Sequence, residues 1–594
     1  MKRSALSLAL IAAIGLAGCN SAQQSNSASY ESAVASEQSV SERFTQFSDQ
    51  FIEDYWRQFP ESSTWAGYGK YDHIITIPNA ESMVSNMAFV ESKLAQLRAF
   101  DLTKLAPKQK IDYYLIENAL QSEAWYTKTF KDWQWNPSNY NVAGGFAQIL
   151  NSRFKTDDEK LSLVLKRLQY VPDYYNAAQQ NINNPTLEYT QLAIQQNQGA
   201  FSILNDELLK KVEQSNLSSD DQKLFMGRYS QAVEAIKNYI SFLTALEQTL
   251  AKNGDARSFR IGEALYEEKF ALNIQSGYTA KQMNQKALAD KARVTAEMVK
   301  LTEQLWPKYF PNTAKPASDN EAIARLIKHL SVKHVAKDNF ISEIKRQIPE
   351  LETFVRKNNL VTLDPDKPLV VRETPEYMRG FAGASISSPG PYDKKENTYY
   401  NVTPLDNMDE EQAESYLREY NHWILQILNI HEAIPGHYVQ LVYANESPSL
   451  IKSVFGNGAM IEGWAVYAER MMLEEGYGNF EPEMWLMYYK WNLRVICNTI
   501  LDYGIHVNNM TQEEGLDLLM NGAFQERAEA EGKWRRATLS QVQLTSYYSG
   551  YREIYDFREA QKQKLGSDFD LKAFHEQFLS YGSAPVKYIR QLMK

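Results

Sequence analysis

The run "LFMGRYSQAVEAIKNYISFLTALEQTLAKNG", residues 224 to 254, admits one kind of secondary structure. Phe225, Tyr229, Ala232, Ile236, Tyr239, Leu243, Leu246 and Leu250 recur every three or four residues, which places them on one face of a helix. Gly254 stands where such a helix would stop. A second long run opens at Thr279, with Gln282 three positions on, the pattern of a reciprocal helix cap. Signals of this kind dominate from about residue 43 to 360 and predict a helical scaffold. The texture changes near residue 361, where β-branched and aromatic residues mix with glycine and proline. Short strands and loops are expected there, with "ENTYYNVT", residues 396 to 403, the best strand. Helical signals resume at Asp409 and run through Tyr416, Leu417, Tyr420, Trp423, Ile424, Ile427 and Leu428.

At 594 residues, 44% hydrophobic and 23% charged, the chain can bury a large core. Its formal net charge of -10 argues against a nucleic-acid partner. The start, "MKRSALSLALIAAIGLAGC", has a basic head, an apolar run and small residues before a cysteine, which reads as an export signal rather than a spanning helix. "LAGC" resembles the bacterial lipobox. That resemblance implies removal of residues 1–18, lipidation of Cys19, and, from Asn20, residence in the outer membrane facing the periplasm. Residues 19–42 are rich in serine, glutamine and alanine and read as a flexible tether. Residues 43–594 are expected to form a single helical domain, as one body or as two lobes around a cleft. The second cysteine, Cys497, has no partner once Cys19 is lipidated, so stability comes from packing. There is no internal repeat and no further membrane-length apolar stretch, and the oligomeric state is not legible.

"HEAIPGH", residues 431 to 437, holds two histidines and a glutamate. Zinc-binding helices present histidines four apart; here the spacing is six, which would turn the second ring about 240° away on an unbroken helix. An excursion at Ile434 and Pro435 would bring His437 back into line. A third ligand is available in "GAMIEGWAVYAERMMLEEGY", where Glu462 and Glu469 are seven apart and about 20° apart around a helix. His431, His437 and Glu462 would hold one Zn2+ ion. Glu432 would act as general base, and Glu469 would orient a ligand from outside.

Asp502 and His506 are four apart, so the carboxylate would orient the imidazole, and His506 would serve as a second electrophile or substrate contact. "GFAGASIS", residues 380 to 387, offers small residues, Gly383 and Ala384, where a peptide could pair along an edge strand. Arg535 and Arg536 are candidates to meet a substrate carboxylate.

The arrangement resembles the gluzincin metallopeptidases of the thimet-oligopeptidase and angiotensin-converting-enzyme type. "HEAIPGH" is similar to their H-E-x-G-H motif with two extra residues, and "IEGWAVYAE" to their second-ligand helix. "YYSGYREIYDF" resembles their oxyanion-stabilising segment, which implies that role for Tyr551 and, second, for Tyr548. "HEAIPGHYVQ", "DYGIH" and "FHEQFLSYGSAPVKYI" resemble the bacterial domain-of-unknown-function 885 family most closely. The resemblance implies a mainly α-helical peptidase fold with a deep cleft, a small β-sheet beside the metal, and a zinc-dependent metallopeptidase acting on short peptides. Two alternatives stay open: a catalytically inactive peptide-binding envelope lipoprotein, and a zinc amidase acting on cell-wall peptides.

Overall fold

The computed structural model describes residues 39–375, 383–392, 397–446 and 449–593. The signal segment, Cys19 and the tether up to residue 38 lie outside these. The last tether residues do not remain a linker, because the first helix, Val40–Gln58, starts at Val40 and buries Phe44, Phe51 and Trp56. Val40–Lys594 forms one compact unit.

The architecture is mainly helical with one small sheet. The helix Ser219–Asn253 has Ser218 as its N-cap and ends at Gly254, whose left-handed φ of 67° closes it through a hydrogen bond to Leu250. Its apolar stripe fills a core of its own with Tyr140, Phe146, Leu161, Val164 and Tyr175. The helix Ala280–Tyr309 opens with the reciprocal cap of Thr279 and Gln282. It belongs to the larger core, which runs from the first helix to the C-terminus. No helix of the described residues is long and apolar enough to cross a membrane. Cys497 is fully buried, and burial pushes its thiol up to about 12, so it is unreactive.

The sheet consists of β1 (Leu369–Glu373), β2 (Ala384–Ser387) and β3 (Thr398–Val402) in the order β1-β3-β2. β3 pairs in parallel with β1 and antiparallel with β2, with Ala384 opposite Val402 and Ser387 opposite Tyr399. β3 is the buried centre, and β2 is an edge. Tyr400 donates to Asn429 at 2.8 Å, and Asn429 donates to Gln347 at 2.7 Å, so a buried chain of hydrogen bonds joins the sheet to the helix that carries His431.

The periodic run from Asp409 is two helices rather than one. Glu410–Glu419, capped by Asp409, ends at Tyr420, and Asn421 caps a new helix, His422–Glu432, by accepting from the backbone of Trp423 and Ile424. A buried asparagine that satisfies two helix-start donors overrides continuous periodicity.

Candidate metal centre

The helix His422–Glu432 stops at the histidine motif. Ala433 leaves helical geometry at φ -111°, ψ -88°, the Ile434–Pro435 peptide bond is cis, and a new helix, His437–Asn445, starts on the second histidine. The break solves the six-residue spacing: the imidazole rings of His431 and His437 stand 4.7 Å apart and perpendicular. Gly436 makes the turn possible. A Cβ there would lie 1.9 Å from the His431 carbonyl oxygen and 2.3 Å from that of Ile430, the atom to which the Gly436 N–H donates at 3.0 Å. Trp464 donates to the Pro435 carbonyl at 2.8 Å and ties the turn to the next element.

That element is the helix Gly458–Glu474. Asn457 caps it, accepting from Met460 at 2.8 Å, while the Asn457 N–H donates to the Ser583 carbonyl at 2.7 Å. Gln440 donates to the Ser583 hydroxyl at 2.8 Å, so the closing stretch of the chain holds the helices of His437 and Glu462, two of the three that bear candidate ligands. Glu462 and Glu469 face the histidines together. Glu462 Oε2 lies 3.4 Å from His437 Nε2 and 3.8 Å from His431 Nε2, and Glu469 Oε1 lies 2.7 Å from His431 Nδ1. One donor atom from each of His431, His437 and Glu462 falls within 4.8 Å of the others. Donors about 2.0–2.2 Å from a tetrahedral ion stand roughly 3.3–3.6 Å apart, so the set fits zinc with little adjustment. Glu469 is fully buried, accepts from Trp491 as well at 3.1 Å, and directs the other nitrogen of His431 toward Glu462.

Burial alone would push His431 down, but the carboxylates of Glu462 and Glu469 outweigh it and hold the ring up at about 10. Burial also works against ionised Glu462, and the two imidazoles override it, keeping the carboxyl below its usual range. Glu432 is pushed upward, first by burial, against the pull of both histidines. A carboxylate raised in this way is a better proton acceptor.

These groups line a cavity of about 530 Å3, shared with Gly383, Ala384, Ser385 and Ile386 on the β2 side and with Arg494, Lys533, Arg536 and Tyr547 on the other. Gly383 leaves space, but the Tyr416 hydroxyl takes it: a Cβ there would stand 2.2 Å from that oxygen. Arg536 reaches the cavity, whereas Arg535 lines a separate one of about 670 Å3 and donates to Gln195 at 2.7 Å.

Neither expected oxyanion tyrosine lines this cavity. Tyr551 is fully buried with its hydroxyl 3.4 Å from Arg470, and Tyr548 donates to Asp290 at 2.8 Å. Tyr547, which sequence reasoning passed over, lines it instead. Its hydroxyl is held above the usual phenol range by burial first and then by the charge of Glu462. His506 and Asp502 also lie elsewhere. Buried His506 makes a 2.9 Å hydrogen bond to the Ala537 carbonyl, and Asp502 accepts from Tyr266 at 2.6 Å and from the Val542 N–H at 2.9 Å. Val542 is a β-branched residue at φ 71°, a strained conformation that the Asp502 carboxylate secures. The pair therefore fixes the turn that leads into the tyrosine helix.

That helix, Ser546–Leu565, crosses Gly458–Glu474 at two glycines. A Cβ on Gly463 would lie 2.3 Å from the Gly550 carbonyl carbon, and one on Gly550 would lie 1.7 Å from the Ala459 oxygen. Gly463→Ala is expected to force the helices apart, cost about 1–3 kcal/mol of stability and weaken metal retention through the neighbouring Glu462. Denaturant melts together with metal content check this; wild-type values for both would show that the crossing relaxes freely.

The family model for "Bacterial protein of unknown function (DUF885)" matches residues 60–593. The chain belongs to this family. A solved structure from Shewanella oneidensis, provisionally named a lipoprotein of unknown function, is 64% identical, covers 93% of this chain and 99% of its own, and has a TM-score of 0.89. A crystal structure from Colwellia psychrerythraea, also provisionally named a lipoprotein, covers the same shares at 17% identity with a TM-score of 0.75, a likeness of fold. No curated protein matches the chain.

Proposed function

We propose that this DUF885 protein is a zinc-dependent peptidase of gluzincin type that hydrolyses short peptides in the bacterial cell envelope. The observation that carries the proposal is the convergence of His431, His437 and Glu462 within 4.8 Å, with half-buried Glu432 beside them. When bound, an ion at these donors supplies Lewis acidity and makes water a stronger nucleophile at neutral pH. Glu432 takes the proton from water and returns it to the leaving amine. Glu469 keeps His431 in the tautomer that presents Nε2 to the ion. Tyr547 donates its hydroxyl hydrogen to the oxygen on which charge develops. The edge strand β2 offers backbone pairing to an extended peptide. The "LAGC" sequence and the provisional lipoprotein names of the two similar structures support anchoring through lipid on Cys19.

The test is metal content per chain on protein purified without added metal, followed by digestion of a short-peptide library with and without chelator. Near-stoichiometric zinc and chelator-sensitive cleavage are expected. Protein that binds peptides uncut and takes up no supplied zinc would instead be a binding lipoprotein, and cleavage confined to crosslinked or D-residue peptides would mark a cell-wall amidase. In the active enzyme, Tyr547→Phe is expected to lower turnover about 10²–10³-fold at unchanged melting temperature. Tyr551→Phe should leave turnover within a few-fold of wild type. The opposite ranking would return the oxyanion role to Tyr551.

A further inference from the structure

The long helix Pro482–His506 carries Trp491, which donates to Glu469, and then Arg494 and Asn498 on the same cavity. Three and seven residues along a helix correspond to about 5 and 10 Å, so the lining continues from the candidate metal ligands into a second zone. Lys533 and Arg536, from the helix Arg527–Thr538, join it there.

In this zone cations outnumber carboxylates: Arg494, Lys533, Arg536 and neighbouring Lys490 face Glu529 and Glu419, and Glu419 is engaged by Lys490 at 2.5 Å. Glu529 is shared between Arg494 at 2.6 Å and Lys533 at 3.9 Å, while Arg536 donates to the neutral amide of Gln543 at 2.8 Å and lies beside the Tyr547 hydroxyl. Lys533 is only 7% exposed, and burial pushes its ammonium well below its ordinary range, with Arg494 adding to the effect. Arg494 Nη1 and Asn498 Oδ1 are buried without hydrogen-bond partners. Crowded, desolvated cations with unfilled donors are stabilised by an anion that brings its own acceptors. A carboxylate does this with two oxygens. A linear peptide with an unmodified end carries one at its C-terminus, and one or two extended residues span about 3.5–7 Å, comparable to the distance along the helix. Asn498 Oδ1 is then free to accept an N–H of the same peptide.

We infer that Arg494, Lys533 and Arg536 form a subsite for the free C-terminal carboxylate of a short peptide. On the peptidase reading above, the protein is then a carboxypeptidase that releases one or two residues. The step consumes one water: its oxygen joins the scissile carbonyl carbon, the C–N bond breaks, and the leaving nitrogen gains a proton.

The decisive measurement is calorimetric titration of Glu432→Gln protein with two peptides of one sequence, one ending in a carboxylate and the other in an amide. The amide is expected to bind about tenfold to a hundredfold more weakly. Lys533→Met and Arg536→Gln are each expected to shrink that difference. Arg536 is exposed, so its variant keeps the test open if Lys533→Met fails to fold. Equal affinity for the two peptides overturns the subsite. Wild-type enzyme that cuts both at equal rate also overturns it and leaves the peptidase standing. Carboxylate preference in binding, with neither peptide cut, upholds the subsite and removes the hydrolytic reading.

Discussion

Glu432→Gln is expected to retain wild-type metal content and fold while lowering turnover of a short peptide by about 10²–10⁴-fold. Glutamine keeps the size and polarity of the side chain, so the end of the helix His422–Glu432 should not move. Only the capacity to take a proton is lost. Glu432 suits that task because its carboxylate shares a cavity with the three candidate ligands, yet lies outside the set whose donor atoms converge. Burial then pushes its pKa upward. The fully buried carboxylate, Glu469, is engaged by His431 at 2.7 Å and Trp491 at 3.1 Å and is unavailable as a replacement base. Steady-state kinetics with metal analysis on the same preparation decide the matter. Turnover within threefold of wild type would remove Glu432 from the chemistry.

His437→Ala and Glu462→Ala are expected to abolish stoichiometric metal, because each leaves two donors where a stable site needs three. Glu469→Gln should act differently. It leaves all three donors in place and weakens only the grip on the His431 tautomer, an effect of about 10–100-fold in affinity. Mass spectrometry of the purified variants gives the first result, and competition with a chelator of known affinity gives the second. Metal loss in Glu469→Gln as complete as in His437→Ala would make Glu469 a ligand itself. Full retention in all three variants would put the ion elsewhere.

Much of this protein is determined locally and is legible without coordinates. The stripe from Phe225 to Leu250 and the stop at Gly254 are decided within a few helical turns, as is the cap formed by Thr279 and Gln282. The pairing of Glu462 with Glu469 on one face follows from helical periodicity, and β3 falls inside the stretch whose composition favours strands. Gly436 and Gly463 stand in the motif because each meets another backbone, a requirement that sequence can flag but not explain.

What tertiary structure alone decided is the rotation of elements about their axes and the choice among identical residues. In "SYYSGY", three tyrosines compete for one role. The contact of Gly550 with Gly463 fixes the helix; Tyr547 and Tyr551, four apart, lie only about 40° apart around it, so a shift of one turn, about 6 Å along the axis, puts Tyr547 on the cavity and leaves Tyr551 buried at the crossing. Arg535 and Arg536, adjacent in the chain and about 100° apart around their helix, diverge into different cavities. Asp502 and His506 have the spacing of a catalytic pair, yet Tyr266 and the backbone of Val542 and Ala537 claim their hydrogen bonds. Local sequence sets which residues can form a helix and which side chains can ionise. Where those side chains end up depends on contacts between residues far apart in the chain, whose free energies no single segment contains.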